Sequence, residues 1–130
     1  MYNNRILNRF KSPEYAGGLR GANGTGKAGS ESAELIKIYI LVNEDGVIEN
    51  VKFKTYGGVC AIVASDVACE LIDGATLEEA LGVNSYAVLQ EMGNIPEERE
   101  YVGALAEEAI KSAIEDYYKK REKELKKSGK

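Results

Sequence analysis

Two cysteines, eight tyrosines and no histidine set the chemical limits of this 130-residue chain. Without imidazole there is no Ser–His or Cys–His nucleophile pair, no imidazole general base and no histidine metal ligand. The thiols are Cys60 and Cys69. On one helix their spacing puts them about 13 Å apart along the axis and about 180° apart around it. A disulfide needs Cα atoms within about 7 Å, so free thiols are expected, as suits a reducing compartment. Cys60 has two readings. It is either a sulfur ligand or acceptor near a helix N-terminus, where a thiolate is favoured, or a small core residue. Cys69 borders the polar arc of the same helix and reads as structural.

A second chemical signal is Gly21-Ala22-Asn23-Gly24-Thr25-Gly26-Lys27, which matches G-x-x-x-x-G-K. In a phosphate-binding loop the next residue is Ser or Thr, to hold Mg²⁺; here it is Ala28. Such a loop also follows a buried strand and opens a helix, whereas this one follows a loop and runs into a strand. A flexible loop whose glycines supply positive φ is the plainer expectation. The tyrosines offer an aromatic binding surface, but Tyr117-Tyr118 at the end of a helical stripe reads as packing. The runs Glu97-Glu98-Arg99-Glu100 and Glu107-Glu108 read as helix N-terminal charge rather than catalytic carboxylates.

The elements that must position these residues follow from periodicity. Ile6, Leu7 and Phe10 have helical spacing, and Ser12-Pro13 ends that segment. Residues 17–29 are glycine-rich and read as loop with at most one short edge strand. Residues 33–42 are rich in strand formers, Asn43-Glu44-Asp45-Gly46 is a turn, and residues 47–56 alternate, which makes a hairpin. Val51 and Phe53 mark its buried face, with Ile48 on the other. Residues 60–73 form a helix closed by Gly74. Thr76-Leu77-Glu78-Glu79 is a capping box, and Asn84 caps another short helix. The last helix starts near Glu97 and carries an apolar stripe to Tyr117. Its basic end, residues 119–130, is expected to fray. If Val42 pairs near Val47, position 32 faces position 57, and the hairpin's open end meets the start of the last helix.

Composition bounds the function. Hydrophobic residues make up 44% and charged residues 29%, with a net charge of −4. That is the balance of a globular domain, and it argues against bulk affinity for nucleic acid or anionic membrane. No apolar run approaches the roughly 20 residues of a membrane span, and the N-terminal residues have no signal-peptide core. A single domain over 1–130 and a cytoplasmic location are expected.

Three blocks carry a family resemblance. Residues 42–57, ending Phe53-Lys54-Thr55-Tyr56-Gly57, and the continuation Gly58-Val59-Cys60-Ala61-Ile62-Val63-Ala64-Ser65 resemble the central hairpin and following helix of IscU/NifU-type iron–sulfur cluster scaffolds. Leu105-Ala106-Glu107-Glu108-Ala109-Ile110-Lys111-Ser112-Ala113-Ile114 resembles that family's last helix. The opening, with Pro13 after an amphipathic stretch, is similar too. The resemblance implies an α+β fold, a small antiparallel sheet with helices packed on one face. It also implies a non-enzymatic protein of cluster assembly. An iron–sulfur cluster, iron or zinc would be the cargo, and a cysteine desulfurase or another assembly protein the partner. The family's ligand positions fall at Ser32, Gly58, Tyr101 and Val102, where this chain has neither cysteine nor histidine. These four are expected not to ligate. Glu34, in place of the family's aspartate, and Cys60 remain as candidates. The family's chaperone motif, LPPVK, stands here as Ile95-Pro96-Glu97-Glu98-Arg99, acidic where the family is not. A non-cluster interaction or regulatory module of the same fold is the alternative.

Overall fold

The computed structural model describes residues 2–128. In chain order it has α1 (Asn4–Lys11), β1 (Gly24–Gly29), β2 (Leu35–Val42), β3 (Ile48–Tyr56), α2 (Val59–Ile72), α3 (Leu77–Leu81), α4 (Ser85–Met92), a 3₁₀ turn (Glu97–Arg99) and α5 (Tyr101–Ser128). The strands form one antiparallel sheet in the order β1-β2-β3. Ile36, Ile38, Ile40, Val51 and Phe53 are buried on one face, where α2 packs along β3 and α5 along β1. The fold is the expected α+β arrangement. No helix among the described residues is long and apolar enough to cross a membrane.

The helix caps are those the sequence specifies. Thr76 and Glu79 form a reciprocal capping box, and Asn84 Oδ1 accepts from the Ala87 N–H. Gly74, at φ 82°, follows the end of α2. At the hairpin tip the Asn43 carboxamide accepts from the Asp45 and Val47 N–H groups, and Gly46 takes φ 76°.

The hairpin departs from simple alternation at one residue. Leu41 pairs with Asn50 but Val42 pairs with Ile48, so Glu49 is the extra residue of a bulge. Ile48 therefore joins Val51 and Phe53 in the core rather than facing the other way. The bulge shifts the register by one residue, and the pairing of Val42 with Ile48 rather than Val47 shifts it by another. The ladder ends at Leu35 opposite Tyr56, so Glu34, not Ser32, comes level with Gly57.

The glycine-rich stretch is not a flexible loop throughout. Gly21 and Gly29 take positive φ, 80° and 93°, but residues 24–29 form β1, paired to β2 along its length. A Cβ on Gly26 would lie 2.1 Å from the Ala113 backbone N and 2.5 Å from the Ala109 carbonyl O. One on Gly24 would lie 2.6 Å from the Ala113 carbonyl O. These glycines let α5 lie directly on the strand. The helix then caps the free edge of β1: the Thr25 N–H donates to Asp116 Oδ2 at 2.8 Å and the Lys27 N–H to Ser112 Oγ at 3.4 Å. Two of the amides a phosphate loop would offer are thus already committed, and the nucleotide-binding reading of Gly21–Lys27 fails.

The first segment is tied down by one buried carboxylate. Asp66 on α2 is 1% exposed. Its Oδ2 accepts from Arg9 at 2.8 Å and its Oδ1 from the Tyr15 N–H at 2.8 Å. Arg9 also reaches Glu70 at 2.7 Å. From Tyr15 the chain runs onto the edge of β3, with the Phe53 N–H donating to the Tyr15 O at 3.0 Å and the Gly17 N–H to the Phe53 O at 2.9 Å. At the other end, α5 continues through the basic residues to Ser128 instead of fraying at 119; residues 129–130 of that tail lie outside the described residues.

Candidate functional site

Three segments meet at the open end of the hairpin: the β1–β2 connection, the turn from β3 into α2, and the start of α5. Glu34 links them. Its Oε2 accepts from the Gly58 N–H at 2.9 Å, the free amide at the N-terminal end of α2, where a carboxylate suits the helix dipole. Its Oε1 accepts a hydrogen bond from the Tyr101 hydroxyl. Gly57 belongs to the same geometry, since a Cβ there would strike Glu34 Oε2 at 2.8 Å. The surrounding depression, about 570 Å³, is lined by Ser30, Ala33, Glu34, Gly58, Arg99 and Tyr101 among others.

The electrostatics follow from that carboxylate. The hydrogen bond to Glu34 raises the Tyr101 phenol above its ordinary pKa, burial and the Glu34 charge add to the rise, and Arg99 opposes it. Tyr101 is thus a neutral donor between a carboxylate and a guanidinium. Cys60, in the first turn of α2, is 3% exposed. Burial pushes its thiol up despite the Tyr2 hydroxyl and the Arg99 charge, and Glu34 raises it further. Burial thus favours the reading of Cys60 as a small core residue over that of a sulfur ligand or acceptor. Cys69 is fully buried, with its thiol well above the ordinary value for the same reason. Both thiols are free.

The remaining sequence candidates fall into two groups. Gly58 and Tyr101 are brought together through Glu34. Ser32 is exposed in the tight β1–β2 connection, where its hydroxyl lies 3.0 Å from that of Ser30. Val102 is 0% exposed, inside the core. Sequence reasoning missed Arg99 and Tyr2. Arg99 sat in a run read as helix-end charge, and Tyr2 is carried to Cys60 by the chain ahead of α1. As a donor set the cluster offers one carboxylate, phenols and a buried thiol. That is hard, oxygen-rich and unsuited to iron–sulfur ligation. Among the described residues no group of three or more Cys, Asp or Glu is placed to hold a metal ion.

Family comparison decides the kinship. The NifU-like N terminal domain model matches residues 1–124. The chain belongs to this family. Among NifU-like relatives, it is 36% identical over 124 residues to iron-sulfur cluster assembly scaffold protein IscU 1 of Archaeoglobus fulgidus, covering 95% of this chain and 80% of that protein. It is also 36% identical to the IscU scaffold protein of Azotobacter vinelandii, with 92% and 96% covered. A crystal structure of a putative cluster assembly scaffold for the SUF system from Fervidobacterium islandicum shares the fold. Its TM-score is 0.72 at 21% identity, over 87% of this chain and 96% of that one. The N-terminal part of a NifU-like protein from Brucella abortus gives 0.65 at 20%, over 90% and 94%.

Proposed function

We propose that this protein serves in iron–sulfur cluster assembly as a non-enzymatic member of its family that keeps the scaffold fold but does not carry the cluster. It acts instead as an interaction or regulatory module toward another assembly protein, such as a cysteine desulfurase. The observation that carries this reading is the Glu34 bridge. Both carboxylate oxygens are engaged, on the Gly58 N–H and the Tyr101 hydroxyl. Protein hydrogen bonds thus close the loops that metal–ligand bonds would close in a cluster scaffold. Its relatives' names support the assembly context; the donor set argues against cluster cargo.

Anaerobic reconstitution with iron and sulfide tests it. The expected result is no stoichiometric iron or sulfide and no visible charge-transfer band, for both the native chain and Cys60→Ala. A stoichiometric cluster that disappears in Cys60→Ala would overturn the proposal.

A further inference from the structure

The outer face of α5 is unpartnered and has an unusual charge order. The helix is 28 residues long, about 42 Å at 1.5 Å per residue. Tyr117 is its last buried residue; positions 118–127 are exposed. A helical extension of about ten residues with nothing packed against it is marginal on its own. Residues 119–130 carry seven basic and two acidic side chains, whereas residues 1–118 carry ten basic and nineteen acidic. The basic arm thus stands on an acidic body.

Along the helix an exposed stripe advances alternately by three and four residues from Tyr101 to Leu125, the period of a two-helix seam. It includes Tyr101, Glu108, Lys111, Glu115, Tyr118 and Leu125. Tyr101, Tyr118 and Leu125 are 44%, 50% and 59% exposed, so large apolar groups on this stripe are left in water.

We infer that α5 is a self-association surface, on which a second copy of this chain packs its own α5 antiparallel. The occupant follows from complementarity. In an antiparallel pair centred near Ala113, Lys111 lies level with Glu115 of the second copy, and Glu108 with Tyr118, whose hydroxyl can donate to it. Tyr101 lies level with Leu125, and Glu100 with Lys126. Each contact occurs twice by the twofold symmetry. A parallel pair would set basic arm against basic arm, so the charges select one direction. The acidic body repels nucleic acid, the other polyanion that a basic arm attracts. The inference does not depend on whether the protein carries a cluster.

Sedimentation equilibrium of the full chain tests this. Two exposed double variants are made, Lys111→Glu/Lys126→Glu and Glu100→Lys/Glu115→Lys, with circular dichroism to confirm their helix content. The native chain is expected to dimerise at low ionic strength and to dissociate as salt rises. Each variant alone should bind itself about tenfold or more weakly, and an equimolar mixture should recover the dimer, because the reversed charges then match. A native chain monomeric at every concentration, a dimer indifferent to both variants, or a mixture that fails to recover would each overturn it.

Discussion

A methyl group on Gly26 would sit 2.1 Å from the backbone of α5, whereas one on Gly58 would meet nothing nearer than Glu34 Oε2, at 3.7 Å. Both glycines lie in stretches that resemble functional motifs, yet they differ in kind. Gly26 is dictated by packing, since main chain lies on main chain and neither side can move away. Gly58, with φ −84° and an extended ψ of −170°, is at a conformation open to any residue. The fold therefore requires the glycine in the motif that carries no function. It does not require glycine at the position where the family resemblance places a ligand. Steric exclusion does not account for the missing ligand at Gly58.

The largest effect that tests this contrast is at the seam. Gly26→Ala should destabilise the protein by about 3 kcal/mol or more, because the overpacked contact is with backbone; urea denaturation measures it. A loss under about 1 kcal/mol would mean that the seam yields. Next comes the buried anchor. Asp66→Ala strands the Tyr15 N–H and one arm of Arg9, and should cost about 2–4 kcal/mol, with the N-terminal segment losing protection in hydrogen exchange. Glu34, the same bridging device at an exposed site, should matter less for stability. Glu34→Gln is expected to cost under about 1 kcal/mol. It should also lower the Tyr101 phenol toward its ordinary pKa, because a neutral amide accepts the phenol's hydrogen bond less strongly than the carboxylate does and the charge is gone. Tyrosinate absorbance would show that titration moving to lower pH; an unmoved titration would contradict the bridge. The smallest effect is at Gly58, where Gly58→Ala should change stability by under about 1 kcal/mol in thermal or urea unfolding.

Much of the scaffold could be read in the residues themselves. The hairpin, the capping box at Thr76 and the buried stripe of α5 each have a local cause written in neighbouring residues. β1 does not. Glycine carries no strand signal, and its reason lies in Ala109, Ser112 and Ala113, more than eighty residues further along. The bulge at Glu49 is equally silent, and together with the pairing of Val42 to Ile48 rather than Val47 it moves the residue level with Gly57 from Ser32 to Glu34. At the site, Glu34 was legible through the family resemblance. Arg99 and Tyr2 were not, because the 3₁₀ turn and the segment ahead of α1 deliver them. Of the two readings of Cys60, its burial favours the small core residue, as its place on the apolar arc of α2 already suggests.

The central claim, which rests on the proposed function, is that Glu34 keeps Gly58 and Tyr101 together at the open end of the hairpin while the family's ligand types are absent. Restoring them tests it most directly, by anaerobic iron and sulfide reconstitution of Ser32→Cys/Gly58→Cys/Tyr101→His/Val102→Cys beside the native chain. The account predicts a stoichiometric cluster with visible absorption in the variant and none in the native protein. A native chain that binds cluster as well as the variant does, or a folded variant that binds none, would contradict it.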